Sequence, residues 1–288
     1  MAPVTETLSA RLTRQSGTSF YHAFRILPKE KREAIYAFYT FCREVDDCVD
    51  EADGEGEKGL ARWTEEVDRC YAGRPETPLG RELAVAVARF PIPRSVFAEI
   101  VEGCRMDLTI ARYETHEDLL VYCRRVASAV GLGCIEIFGY EDPVTREYAV
   151  ELGLALQLTN IVRDVSVDAA RGRIYLPLAD LRHFGLTESD LLEAAAEVGP
   201  ASRPDVRALL AFEADRADER YSNARRLLRR GERRSMLAAE IMGAVYRALL
   251  IEIRRRGYPL AGPRASLSRP RKIAIALRTA ARVCCGLS

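Results

Sequence analysis

The chain has 288 residues, with 43 lysines and arginines against 42 aspartates and glutamates, a net charge of +1. Hydrophobic residues make up 48% and charged residues 30%, which suits a soluble protein with a sizeable core rather than a disordered chain. The charge balance offers no global field for nucleic acid, so none is expected as a partner, and no run reaches the ~18 apolar residues of a membrane span.

Residues 1–14 lack the apolar core of a signal peptide, so a cytoplasmic location is expected. From there, helical periodicity predicts helices over 29–51, 58–72, 78–90, 94–111, 116–139, 143–166, 188–196, 203–230, 234–256 and 270–283. Breakers separate them, among them Gly73-Arg74-Pro75, Pro91-Ile92-Pro93, Gly199-Pro200 and Gly257-Tyr258-Pro259. Asp142-Pro143 reads as a cap followed by proline at the first helical position. No strand-like alternation persists. With short connections, the expectation is an all-α chain, a single helical domain over 1–288 around a central cavity. The eight cysteines lack metal-finger spacing and read as small buried hydrophobes in a reducing compartment. In the final segment, 264–288, Arg269, Arg271, Lys272, Arg278 and Arg282 interleave with Ile273, Ile275, Ala276, Leu277 and Val283. Such a basic amphipathic segment suits either the inner face of an anionic membrane or packing on the body with a solvated basic face.

Two of these helices carry a problem. Asp46 and Asp50 in one, and Asp164 and Asp168 in another, stand four residues apart in otherwise apolar sequence, which puts each pair on one helix face. At ~6 Å and an effective dielectric of about 20, two such charges repel by about 3 kcal/mol. The polar stripes extend further: Tyr39, Arg43, Asp46 and Asp50 follow one side of the first helix, and Gln157, Asn160, Asp164 and Asp168 one side of the second. A divalent cation is the natural compensation. Hard oxygen ligands suit Mg²⁺, which often binds through a few carboxylates plus substrate phosphates. Facing each other, the two stripes would hold a few Mg²⁺ ions and a diphosphate.

Beyond the second stripe, Arg171-Gly172-Arg173 forms a basic lid, and Pro177 ends any helix at or before Leu176. Arginine pairs with phosphate through two parallel hydrogen bonds. Departure of an allylic diphosphate leaves a carbocation, which needs an apolar, water-free cavity. Phe20, Phe24, Tyr122, Val126, Ala127, Val130, Gly131, Leu154 and Leu158 are the candidate walls.

Several segments together resemble the squalene/phytoene synthase family. They are Ser19-Phe20-Tyr21, the run Tyr39 to Asp47, Gly103 to Leu108, Tyr122 to Ala127, Gln157 to Asp164, and Arg173-Ile174-Tyr175-Leu176-Pro177. The resemblance spans about residues 15–255. It implies an isoprenoid synthase fold and a Mg²⁺-dependent prenyltransferase joining two prenyl diphosphates head to head. By that resemblance Asp46, Asp50, Asn160, Asp164 and Asp168 form the Mg²⁺-diphosphate site. Arg43, Arg163, Tyr39 and Tyr175 assist diphosphate binding or departure. Ser19, Phe20, Phe24, Tyr122, Val126, Gly131 and Gln157 line the cavity, with Tyr246 capping it.

Within the family, the runs Val126 to Gly131 and Cys134 to Tyr140 are most similar to bacterial hopanoid-pathway members. The implied reaction joins two farnesyl diphosphates. One ionises, the 2,3-double bond of the other attacks its C1, and proton loss closes a cyclopropane, giving presqualene diphosphate. Downstream pathway enzymes are the implied protein partners. No dinucleotide motif is evident, so NADPH is not expected. Phytoene, dehydrosqualene and squalene synthases are the alternatives within the family. A carboxylate di-iron bundle would need Glu-x-x-His pairs, and His22, His116 and His183 supply none. A non-catalytic prenyl-lipid binder would not need both acidic stripes.

Overall fold

The computed structural model describes residues 7–15, 23–50 and 55–285. Their helices are α1 (Leu8–Gln15), α2 (Lys29–Asp50), α3 (Gly56–Tyr71), α4 (Pro78–Arg89), α5 (Arg94–Thr109), α6 (His116–Cys123), α7 (Ala129–Phe138), α8 (Val144–Ala170), α9 (Leu178–His183), α10 (Glu188–Ala196), α11 (Pro204–Leu227), α12 (Leu237–Arg255) and α13 (Arg269–Cys284). Among the described residues there are isolated bridges, such as Arg112 with Ile174, but no strand.

Local chemistry explains the helix ends. Thr77 caps α4, its hydroxyl accepting from the Gly80 amide, with Pro78 at the first position. Thr115 and Asp118 form a capping box at α6, and Thr187 and Asp190 another at α10. Gly139, at φ 77°, ends α7 in a left-handed conformation that suits glycine. On α2 the apolar positions Ile35, Phe38, Phe41 and Val45 recur on one face and are fully buried. The Phe97 ring of α5 stands edge-on to Phe38 and Phe41, with centroids 5.5 and 5.0 Å away. The long helix α8 packs most extensively on α11.

The helices depart from the sequence-based expectation in several places. The predicted helix 116–139 contains a π-helical turn at Arg124–Ser128. The helix predicted over 143–166 runs on to Ala170, which makes Asp168 helical. The short helices α1 and α9 were not predicted; each spans about two turns, too few for a clear apolar period.

The π turn is built against α8. A Cβ on Gly153 would lie 2.7 Å from Ser128 Cα and 2.8 Å from the Ala127 carbonyl oxygen. The Ser128 hydroxyl donates to the Val150 carbonyl at 2.9 Å. Both obstacles to a Gly153 side chain are backbone and cannot swing aside. Gly153→Ala is therefore expected to destabilise the protein by about 1–3 kcal/mol. Thermal unfolding checks this; an unchanged midpoint would mean the helices separate freely here.

Candidate active site

The acidic stripes of α2 and α8 line one polar cleft of about 360 Å³. Asp46 and Asp50 come from α2, and Asn160, Asp164 and Asp168 from α8. The cleft is completed by Asp107 from α5, by Arg171, Arg173 and Tyr175 after α8, and by Arg264 before α13. A largely apolar cavity of about 280 Å³ adjoins it. Arg43, Asp46, Tyr122, Gln157 and Asn160 line both and form their common rim.

The carboxylates divide into compensated and uncompensated groups. Arg171 bonds Asp50, and Arg173 reaches its other oxygen at 3.0 Å. Arg163 grips Asp164 through two bonds of 2.8 and 2.5 Å, and Arg264 approaches the same carboxylate at 3.2 Å. Asp46 and Asp168 are left exposed to the field of their neighbours. Burial, and then the charge of Asp50, pushes the Asp46 carboxyl up to about 6. Burial, and then Asp164, pushes Asp168 up to about 7. Arg43 borders the cleft, but its guanidinium bonds Asp47 at 3.0 Å rather than Asp46.

Arginines supply part of the compensation: Arg171 and Arg173, distant in the chain, on Asp50, and Arg163 with Arg264 on Asp164. Among the described residues no three carboxylate, thiol or imidazole groups converge tightly enough to hold an ion by themselves. The donor set nevertheless fits a hard cation: two carboxyls lack full compensation, and Asn160 Oδ1 is buried without a hydrogen-bond partner. Such an atom is an open oxygen ligand on the rim.

Most predicted wall residues line the apolar cavity: Phe24, Tyr122, Val126, Ala127, Val130, Gly131, Gln157 and Tyr246; Tyr39, expected beside the diphosphate, lines the cavity too rather than the polar cleft. Leu154 and Leu158 do not; both are buried elsewhere in the core. On α8 the cavity face runs through Ala149, Leu152, Gly153, Leu156, Gln157 and Asn160, and residues 154 and 158 lie about 130° and about 170° from its centre. Arg163, Arg171, Arg173 and Tyr175 line the polar cleft rather than the cavity. Ser19 and Phe20 lie outside the described residues. The cysteines form no disulfide among the described residues; Cys42, Cys104 and Cys134 line the cavity, while Cys284 and Cys285 are exposed rather than buried.

Two site residues had no assigned role from sequence. Asp107 accepts hydrogen bonds from the hydroxyls of Tyr175 at 2.7 Å and Tyr122 at 2.9 Å. The two rings are stacked, with centroids 5.1 Å apart. Asp107 thereby fixes two phenols at the mouth of the cavity. Its signal was a lone acid three residues after Cys104, on a face otherwise apolar. Arg264 lies in a proline- and glycine-bounded loop, where no periodicity announces it.

A model described as squalene/phytoene synthase matches residues 13–271. The chain belongs to the squalene/phytoene synthase family. It is 37% identical over 287 residues to a phytoene synthase of Mycobacterium tuberculosis, covering 97% of this chain and 92% of that protein. It is 38% identical over 270 residues to a presqualene diphosphate synthase of Rhodopseudomonas palustris, covering 92% and 93%. Its structure matches that of a dehydrosqualene synthase in complex with ligand, with a TM-score of 0.85 and 30% identity over 96% of this chain and 95% of that one. The fold is thus the isoprenoid synthase fold expected of the family, and enzymes of this family are prenyltransferases acting on prenyl diphosphates.

Proposed function

We propose that this chain condenses two farnesyl diphosphates head to head to presqualene diphosphate, releasing diphosphate, on a route to squalene and hopanoids. The observation that carries this reading is the shared rim: one apolar cavity opens directly onto a cleft lined by aspartates and arginines. A prenyl diphosphate has the same two-part chemistry. The identity to a presqualene diphosphate synthase supports the C15 substrate. So do the bulky side chains of Phe38, Phe138 and Tyr148 in the cavity lining. The matching identity to phytoene synthases favours, as a second reading, condensation of two C20 chains.

In this reading Arg163, Arg171 and Arg173 grip the diphosphate in the cleft. Tyr175 and Tyr122 donate their hydroxyl protons to Asp107, which fixes the two rings where cleft and cavity meet. Below the rim, apolar walls exclude water, and the faces of Phe24, Tyr39 and Tyr122 stabilise allylic cationic charge. Mg²⁺ held by Asp46, Asp50, Asn160, Asp164 and Asp168 would supply counter-charge to the departing diphosphate. No NADPH is required to stop at presqualene diphosphate.

Incubation with farnesyl diphosphate and Mg²⁺ without NADPH, followed by mass spectrometry, tests the reading. Presqualene diphosphate is expected as the final product. A C30 hydrocarbon formed without reductant, or a C40 product preferred from geranylgeranyl diphosphate, would overturn it.

The raised carboxyls give a second test. Asp46 at about 6 and Asp168 at about 7 stand above the ordinary value of 3.8. Over that interval the folded protein holds more protons than the unfolded chain, so their contribution is full at low pH and is lost as pH rises through 6 and 7. A cation must displace those protons. Mg²⁺ is therefore expected to raise the melting temperature more at about pH 8 than at about pH 5.5. Taking the difference with and without Mg²⁺ cancels the buried Glu213 and His116, which titrate away from the cleft. A Mg²⁺ shift independent of pH would exclude these two carboxyls as ligands.

A further inference from the structure

The last described helix, α13, has two apolar sides. Its inner side, with Thr279 and Val283 buried and Ile275 and Ala276 partly so, packs on the body, chiefly against α12. Its outer side carries Pro270, Ile273, Ala274, Leu277, Ala281 and Cys284, all exposed. Ile273 is 57% and Leu277 67% accessible. At 100° per residue these six fall in one stripe, with Arg269 along one edge and Arg271 and Arg278 along the other. The helix packs on the body through its inner side, and on its outward surface the basic residues flank a centre that is apolar.

Charge singles out the same region. From Gly257 to Ser288 there are six basic residues and no acidic one, in a chain whose net charge is only +1. At the C-terminal end of α13, Arg230, Arg233, Arg234 and Arg282 surround a groove of about 360 Å³. Within it the Nε atoms of Arg233 and Arg282 are buried without a hydrogen-bond partner among the described residues. The four arginines concentrate positive charge at that end of the apolar stripe.

We propose that α13 seats the protein on an anionic lipid bilayer, with the Ile273–Leu277 stripe in the acyl boundary and the arginines on lipid phosphates. A second copy of the chain fits poorly, because pairing two such faces would oppose two acid-free arginine sets. Nucleic acid would leave the stripe in water. The position of the face is also apt. Tyr148 and Leu152, in the cavity lining, also line a second groove of about 250 Å³ whose walls include Arg282 on α13. The apolar end of the cavity therefore lies toward the lipid-facing side.

Co-sedimentation of the full chain with phosphatidylcholine vesicles, with and without phosphatidylglycerol, tests this. Binding is expected only with phosphatidylglycerol. Ile273→Glu with Leu277→Glu should lower the partition about hundredfold, and Arg269→Gln with Arg278→Gln about tenfold. Both variants should keep wild-type turnover of water-soluble substrate and wild-type circular dichroism, because none of the four side chains lines the cleft or cavity. Failure of the wild type to bind, or equal binding by the variants, would overturn the proposal. So would a concentration-dependent dimer that Leu277→Glu abolishes, which would assign the stripe to a second copy.

Discussion

Asp46→Ala and Asp164→Ala are each expected to lower kcat/KM by about 10³-fold or more, a loss of ~4 kcal/mol of transition-state stabilisation. Each removes a carboxylate oxygen pair, the two from opposite walls of the cleft, and under the proposed function either loss would weaken the hold on Mg²⁺. The two variants should part company in stability. Asp46 is destabilised in the fold by burial and by Asp50, Asp47 and Asp107, so its removal should leave the melting temperature unchanged or raised. Asp164 is the partner of Arg163 and Arg264. Its loss strands the largely buried Arg163 guanidinium and should cost about 1–3 kcal/mol. Steady-state kinetics with thermal unfolding separates the effects. Full activity in either variant would remove the metal-diphosphate reading of the cleft.

The double replacement Arg171→Ala with Arg173→Ala should be nearly as severe, lowering kcat/KM by about 10²- to 10³-fold, at roughly 1.5–3 kcal/mol for each charged hydrogen bond lost. Both arginines bond Asp50. On diphosphate binding they are expected to turn to the phosphates and release Asp50 to a cation. The competing possibility is that they merely lock Asp50. Then their removal would free a ligand, lowering the Mg²⁺ concentration needed for activity and leaving the substrate KM in place. A raised KM for the diphosphate at saturating Mg²⁺ supports phosphate contact; an unchanged KM sinks it.

How much of this was legible in the sequence follows from which distances are local. The aspartate pairs were readable because four residues along a helix is a fixed geometry. The register of α2 and of most of α8 followed from the same period, and so did the facing of Gln157 and Asn160 toward the rim. What partners Asp50 was not readable, since Arg171 and Arg173 lie more than a hundred residues on and no local period ties them to α2. Leu154 and Leu158 failed for a related reason. On a helix buried on nearly all sides, apolar residues mark every face, so hydrophobicity cannot say which one is lined by empty space. The outward stripe of α13 was hidden similarly: its apolar residues formed a single class in sequence, and only contact with α12 divides them into inner and outer sets.

The π turn between α6 and α7 has a consequence for how this cavity tolerates insertions and deletions. Tyr122, Val126, Val130 and Cys134 all line the cavity at a strict spacing of four. In a continuous α-helix each such step would rotate by about 40°, carrying the last of them well away from the first. The widened turn at Arg124–Ser128 absorbs that drift, so one wall stays aligned over four successive positions. Removing one residue there would let ordinary i→i+4 bonding resume, and the secondary structure would read as a better helix. The turn holds one residue more than an ordinary α turn, so its loss would leave α7 facing as before, with Gly131 still against the Ala149 carbonyl. A single-residue deletion is thus expected to be better tolerated within Arg124–Ser128 than in α7 beyond it, where no widened turn takes up the ~100° of rotation.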